Sequence, residues 1–300
     1  MLKLIKDWLQ WSILGKTLII ILSISKIFFA KYSIKAYFDN MEIKWRTPQP
    51  SLLKSIYLNF RCLPFKQAVS IPVFVYRHTE IISLKGSICF KCDIRPRLVR
   101  WGWDYGYRSS GNSRIRIDGC VVFKGSAFFS AASNVAVFKT GTLIMGDDSR
   151  IWENCLVYCM QLIKLGKKTG ITYQTSIMDT DFHYSVDVNS RKIYPRSKPI
   201  IIGDYVWVGN RASIKKGTII PNFTTIASSY TVLSKDYSHI PPYSILGGIP
   251  AKVIKNGVSR TWVDEKKHIK DFDDLFNIAG IDVYNVPEDI DIEKAYINER

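Results

Sequence analysis

The sequence predicts an all-β solenoid, a parallel β-helix with helical segments at both ends, and three observations point to it. The aliphatic residues Ile202, Val208, Ile214, Ile220, Ile226 and Val232 recur every six positions. The same spacing occurs upstream as Met145, Ile151 and Val157 and, after a slip of two residues, as Leu165, Ile171 and Ile177. A small or turn-forming residue follows several of these positions directly: Gly146, Gly166, Gly203, Gly209, Pro221 and Ala227. The spacing by itself decides little in so aliphatic a chain. Two separated blocks that share one period and one corner residue decide it. Six residues then make one flat side of a triangular coil, with the aliphatic residue pointing inward, and coils stack at about 4.8 Å.

The chain has 300 residues, 47% hydrophobic and 13% aromatic, enough to bury a core. Its first 50 residues form a separate apolar and basic helical segment with a linker. Within "WLQWSILGKTLIIILSISKIFFAKYSIKAYF" the uncharged run from Thr17 to Ser25, between Lys16 and Lys26, is too short to span a bilayer. Three readings remain open here: a helix lying in the membrane interface through residues 1–35, a signal peptide, and a helix packed on the rest of the protein. Prolines in "MEIKWRTPQPSLL" mark the linker. The β domain is expected from residue 51 to residue 257. Its first part, "SIYLNFRCLPFKQAVSIPVFVYRHTEIISL", reads as strands after one helical turn. "WGWDYGY" sets Trp101, Trp103, Tyr105 and Tyr107 at period two, one face of a strand that serves either a sugar or, more commonly, a core or subunit contact. Residues 258–300 are read as a helix capping the open end of the solenoid, with Trp262, Ile269, Phe272, Leu275 and Phe276 at helical spacing and His268 on its solvated face, followed by an acidic tail.

Lys and Arg outnumber Asp and Glu by 42 to 26, giving a formal charge of +16 and anionic partners: nucleic acid, a phosphorylated cofactor or a membrane surface. No nucleic-acid-binding signature occurs, and no nucleic acid is expected. Of six cysteines, only Cys89 and Cys92 have CxxC spacing, without the second ligand pair of a zinc site. Strand alternation sends these two thiols to opposite faces. The four histidines are scattered, so no metal is expected, and His78 is read as structural.

Between the two repeat blocks the period breaks from about residue 183 to residue 199, "HYSVDVNSRKIYPRSKP". A long irregular insertion in a regular solenoid is usually a functional loop. His183 stands where the wall ends and this loop begins, in "DTDFH".

"DTDFH", followed by "IIIGDYVWVGNRASIKKGTIIPNFTTIASSYTVLSKD" and then "GGIPAKVIK", resembles the hexapeptide-repeat acyltransferases, most closely the bacterial polysaccharide and capsule O-acetyltransferases. The specific motifs cover residues 145–255. The resemblance implies a left-handed β-helix, a homotrimer with sites between neighbouring prisms, acetyl-CoA as co-substrate, and His183 as general base toward a sugar hydroxyl. An imidazole of ordinary pKa suits that role, and the activated thioester makes a covalent intermediate unnecessary. Asp181 is a candidate to orient His183 or grip the acceptor; Asp179 reads rather as a backbone clamp. Trp207, turned outward between inward Val206 and Val208, corresponds to an aromatic that lines the cleft. Ala227 and Ser228 match the small-residue turn along the pantetheine arm, with Ser228 where a glycine is frequent. Gly248, Pro250, Ala251 and Lys252 match a "GxPAK" turn beside the nucleotide, and Lys216 is the further cation assigned to CoA phosphate, ahead of Lys215 and Arg260. The implied function is O-acetylation of a surface or capsular polysaccharide or its precursor, in the cytoplasm or peripherally at the inner face of the membrane. N-acetylation of a nucleotide-linked amino sugar and a non-catalytic scaffold in polysaccharide assembly are the alternatives.

Overall fold

Inward aliphatic residues flanked by polar ones give short strands that can bury one face only against one another, and a chain that keeps turning the same way stacks them in register. The computed structural model, described here over residues 49–103, 111–278 and 281–298, shows a parallel β-helix with three sheets of nine, seven and six strands. The chain divides into Met1–Thr47 and Pro48–Arg300. Residues 1–48, with their expected helix, lie outside the described residues, as do Tyr105 and Tyr107. The first sheet runs from Val73–Val75 to Lys252–Lys255, the second from Thr79–Ser83 to Val232–Leu233, and the third from Ser87–Phe90 to Ile219–Ile220.

The core is a stack of identical contacts. Met145, Ile151, Val157, Leu165, Ile171, Ile177, Ile202, Val208, Ile214, Ile220 and Ile226 are all buried to within 1%. Each such side chain contributes roughly 1.5–3 kcal/mol of burial. The sixth position of the second block departs from expectation, because Leu233 and not Val232 points inward, opposite Ile214. An extra corner residue causes the slip: Ser229 and Tyr230 both adopt left-handed backbone, at φ 69° and 68°.

The corners are built differently from the expected easing by small residues. Left-handed backbone falls two positions later, on Asp148, Lys168, Tyr205 and Phe223. The glycines are needed for close approach between coils: a Cβ on Gly146 would meet the carbonyl carbon of Gly166 at 2.3 Å.

At the amino-terminal end the structure corrects the expectation of one helical turn. Helix α1 spans Leu52–Cys62 and α2 spans Phe65–Ala68, and the β-helix begins only at Val73. Ser51 caps α1, with its hydroxyl accepting from the Lys54 amide at 3.4 Å. The face expected to be shared by the aromatics of residues 101–107 breaks between Trp101 and Trp103, while the core reading holds for Trp101. Trp101 is fully buried and stacked on Phe129 at 4.0 Å. Gly102, at φ 84°, shifts the register, so Trp103 turns to the ring of Tyr76 instead.

At the other end Gly247 leads into a turn that pairs Lys252–Lys255 antiparallel with Ile245–Gly247. The core there closes with Tyr237, Ile240 and Ala251. Helix α3, Glu265–Asp273, is present, but Ile269 is exposed, and the plug comes from the chain turn and not from this helix. His268 is likewise not simply solvated, since its ring lies 4.9 Å from that of Tyr296.

Candidate active site

Each residue of "DTDFH" has a distinct position, and together they explain why the wall stops there. Asp179 is fully buried, and its carboxylate accepts the backbone amides of Met160 at 2.7 Å, Gln161 at 2.7 Å and Leu162 at 2.8 Å. It therefore clamps the corner below it, as the backbone reading expected. Thr180 bridges to Ser197, the Asp181 amide donates to the Arg196 carbonyl at 2.9 Å, and the Lys198 amide donates to the Asp179 carbonyl at 2.9 Å. These bonds staple the two ends of the insertion. Phe182, at φ 63°, packs its ring against Phe138 and Tyr158 at 5.8 and 5.9 Å. His183 is thereby turned out at the base of an antiparallel hairpin, Ser185–Asp187 with Lys192–Tyr194. Its ring makes no hydrogen bond among the described residues.

Asp181 does not hydrogen-bond His183. Its carboxylate pairs with the Lys216 ammonium at 2.6 Å, and that ammonium also donates to the Pro195 carbonyl at 2.7 Å. The structure thus places Lys216 on the insertion, where it neutralises Asp181 and holds the second hairpin arm; it is engaged here and not displayed as a cation for phosphate.

Trp207 points outward, as alternation required, into a cavity of about 460 Å³ on the first sheet. Gly170 makes room for it, since a Cβ there would stand 2.8 Å from the indole ring. The Arg260 guanidinium covers the Trp207 ring at 3.7 Å and lies 5.0 Å from the Trp262 ring. Burial, followed by the nearby charge of Arg150, lowers the Arg260 pKa to about 10. Trp152, Arg150, Lys168 and Lys267 complete the cationic and aromatic lining, with Asp148 and Asp264 as its acids.

The remaining residues form a column at the corner that follows the first sheet. Ser228 sits directly over Gly209, whose Cβ would meet the Ser228 amide nitrogen at 2.6 Å, and Ala227 lies under Gly247. Gly248 takes left-handed backbone at φ 94° and its carbonyl accepts from Val232; Ala251 is buried, while Lys252 is exposed. Pro250 follows a cis peptide bond inside this turn. Within one chain the structure therefore sorts the expected site residues into three places. Asp181, His183 and Lys216 lie at the insertion, Trp207 lies in the cavity, and Ala227, Ser228, Gly248, Pro250, Ala251 and Lys252 lie along the corner column.

No family model matches the sequence. Among curated proteins, WbbJ of Escherichia coli K12, named for O-acetyl transfer in lipopolysaccharide biosynthesis, is 25% identical over 158 residues, which are 49% of this chain and 79% of that protein. The polysialic acid O-acetyltransferase of Escherichia coli O1:K1 / APEC is 28% identical over 157 residues, 52% of this chain and 48% of that protein, so the chain spans about half its length. The chain is similar to bacterial polysaccharide O-acetyltransferases. Among solved structures, the polysialic acid O-acetyltransferase OatWY is 18% identical, aligns over 65% of this chain and 96% of its own, and gives a TM-score of 0.38.

Sequence reasoning missed most of the cavity around Trp207. Arg150, Trp152, Lys168 and Gly170 lie on earlier coils, and Trp262 and Lys267 come from beyond the solenoid. One signal was available: Gly170 and Trp207 are inward-neighbour positions on consecutive coils, and a glycine beneath an outward indole predicts that the ring lies flat on the sheet. Among the described residues no group of three or more His, Cys, Asp or Glu side chains is arranged to hold a metal ion.

Proposed function

We propose that the chain is an acetyl-CoA-dependent O-acetyltransferase acting on a sugar hydroxyl of a bacterial surface or capsular polysaccharide, or of its precursor. The observation that carries this reading is the arrangement of "DTDFH". Four consecutive residues are spent on fixing the backbone, and the fifth, His183, is left exposed with an imidazole that no other group engages among the described residues. Such a histidine is placed to accept a proton from an acceptor hydroxyl. The Asp181–Lys216 pair keeps a net-neutral, hydrogen-bonding wall beside it, able to orient an acceptor through the second carboxylate oxygen.

The corner column fits an extended thiol-bearing arm. Small residues, Ala227, Ser228 and Gly248, leave the corner accessible, and exposed Lys252 offers a cation for phosphate. When bound there, acetyl-CoA would supply the activated acetyl group. Trp207 and His183 leave the prism on different sides: Trp207 from the first sheet, His183 between the second and the third. A site that uses both draws on two copies of the chain, which supports the homotrimer. The trimer, the glycan acceptor and a cytoplasmic location belong to this proposal.

Calorimetry with acetyl-CoA tests the cofactor site without knowledge of the acceptor. Saturable binding that weakens in Lys252→Ala is the expected result, and no heat at millimolar ligand would favour a non-catalytic scaffold. His183→Ala should lower acceptor-dependent CoA release by about 10²–10⁴-fold with an unchanged melting temperature. Unchanged turnover would remove His183 from the mechanism. Alkali treatment before mass spectrometry then separates ester from amide products.

A further inference from the structure

Helix α1 is apolar on its outward face as well as at Leu58 and Cys62, which it buries in the core. Its buried side carries polar anchors: Asn59 donates through Nδ2 to the Val73 carbonyl and accepts through Oδ1 from the Val73 amide, and the Ser55 hydroxyl accepts from the Val75 amide at 2.9 Å. These bonds seal the free edge of the first strand, which would otherwise offer unpaired backbone groups. The outward side is apolar. Leu52, Leu53, Ile56, Tyr57 and Phe60 are 54%, 82%, 43%, 57% and 44% exposed and fall within one arc of the helix, and Phe65, 70% exposed, meets Phe60 edge-on at 5.7 Å. A surface helix of a water-facing protein has the opposite arrangement.

The charge of this stretch of sequence points to its partner. From Ile43 to Thr79 the sequence contains no acid, while Lys44, Arg46, Lys54, Arg61, Lys66 and Arg77 supply six cations. Arg61 and Lys66 are exposed beside the apolar arc. The chain that leads into the helix continues the same chemistry, with "LIIILSISKIFFAKYSIKAYF" ending about a dozen residues before Ser51. Among the described residues no helix is long and apolar enough to cross a membrane. An apolar face with Arg61 and Lys66 exposed beside it, in a stretch of sequence without acids, is the chemistry of a helix that lies in an anionic bilayer surface, with side chains in the acyl boundary and cations among the head groups.

We propose that the outward face of α1 docks the β-helix on an anionic membrane surface. The face is distinct from residues 1–35, and it would hold the amino-terminal end of the solenoid against the lipid.

The test is flotation of the full-length protein with vesicles of phosphatidylcholine alone or containing about a quarter phosphatidylglycerol. Residues 1–47 are retained in every variant, so differences report α1. Wild type should float with the anionic vesicles and much less with the neutral ones. Leu53→Glu/Phe60→Glu should lower the partition coefficient by about tenfold or more, since two exposed apolar anchors become charges. Arg61→Glu/Lys66→Glu should lower it in the anionic vesicles and leave the neutral ones unchanged. Melting temperature is compared for each variant, and Leu53→Ser/Phe60→Ser replaces the Glu pair if that pair melts lower. Acetyl transfer to a soluble acceptor should stay at the wild-type rate. Three results would overturn the proposal: wild type that does not float, face variants that float as well as wild type, or face variants that only reduce the oligomer seen by sedimentation, which would assign the face to a second copy of the chain.

Discussion

Asp179→Ala is the perturbation that most directly tests how the candidate base is held. The carboxylate is fully buried and accepts three backbone amides at 2.7–2.8 Å, those of Met160, Gln161 and Leu162. Hydrogen bonds to a charged group are worth roughly 1.5–3 kcal/mol each, and leaving a buried donor unsatisfied costs roughly 1–3 kcal/mol. Three such bonds would sum to more than the expected loss, because the vacated space is polar and large enough for water to replace part of the carboxylate. An expected destabilisation of about 3–6 kcal/mol follows. In a chain of this size that corresponds to a fall in melting temperature of about 6–20 °C. Asp179→Asn should lie between alanine and wild type, since its amide retains one acceptor oxygen but turns an NH₂ toward a donor. Because the Asp179 backbone also receives Lys198 at the far end of the insertion, transfer activity should fall in both variants even at temperatures where they remain folded. Thermal unfolding followed by circular dichroism, with turnover measured well below the transition, reads both effects. A melting temperature within about 2 °C of wild type in Asp179→Ala, with turnover intact, would refute the clamp.

Gly170→Ala places a Cβ 2.8 Å from the Trp207 ring and should push the indole out from under Arg260. Tryptophan emission should shift and the KM for donor or acceptor should rise about tenfold, with a stability cost of about 1–3 kcal/mol; an unchanged spectrum and KM would show that the ring position does not matter. Burial pushes the Cys62 thiol up to about 11, the Cys155 thiol up to about 12 and the Cys159 thiol higher still. Native protein at pH 8 should therefore spare these three from Ellman's reagent, and all six thiols should react in urea. These thiols ionise first in the unfolded chain, so their contribution to stability is complete below about pH 9 and is lost as pH rises toward 11–12; a urea midpoint that holds steady from pH 9 to 11 would contradict this.

The six-residue spacing made most of the core legible, because a β-helix repeats the same contact in every coil and so writes it into the sequence many times. Where the coil length varies, the period misleads. Met145 pairs with Leu165 twenty residues on, while Ile202 pairs with Ile220 only eighteen on, and one extra corner residue moved Leu233 into the place expected for Val232. Helix α1 reads from sequence as a single turn because apolar residues lie on both of its sides, Leu58 and Cys62 inward and Leu53, Ile56 and Phe60 outward, so no single apolar stripe marks the helical period. Asp179 was legible as a clamp. Its neighbour Asp181 was not legible as the partner of Lys216, since that pair closes across an insertion whose path no local pattern specifies.

The sequence by itself determined the solenoid and the break at His183, because the repeat follows from interactions between residues a fixed number of positions apart and the insertion is where that spacing stops. Only the tertiary structure decided that Lys216 faces Asp181, that Arg260 and Trp262 fold back over Trp207, and that the outer side of α1 lacks a protein partner among the described residues. Those contacts join residues whose separation is set by how coils stack and where the chain returns, and that information appears only once the ladder has formed.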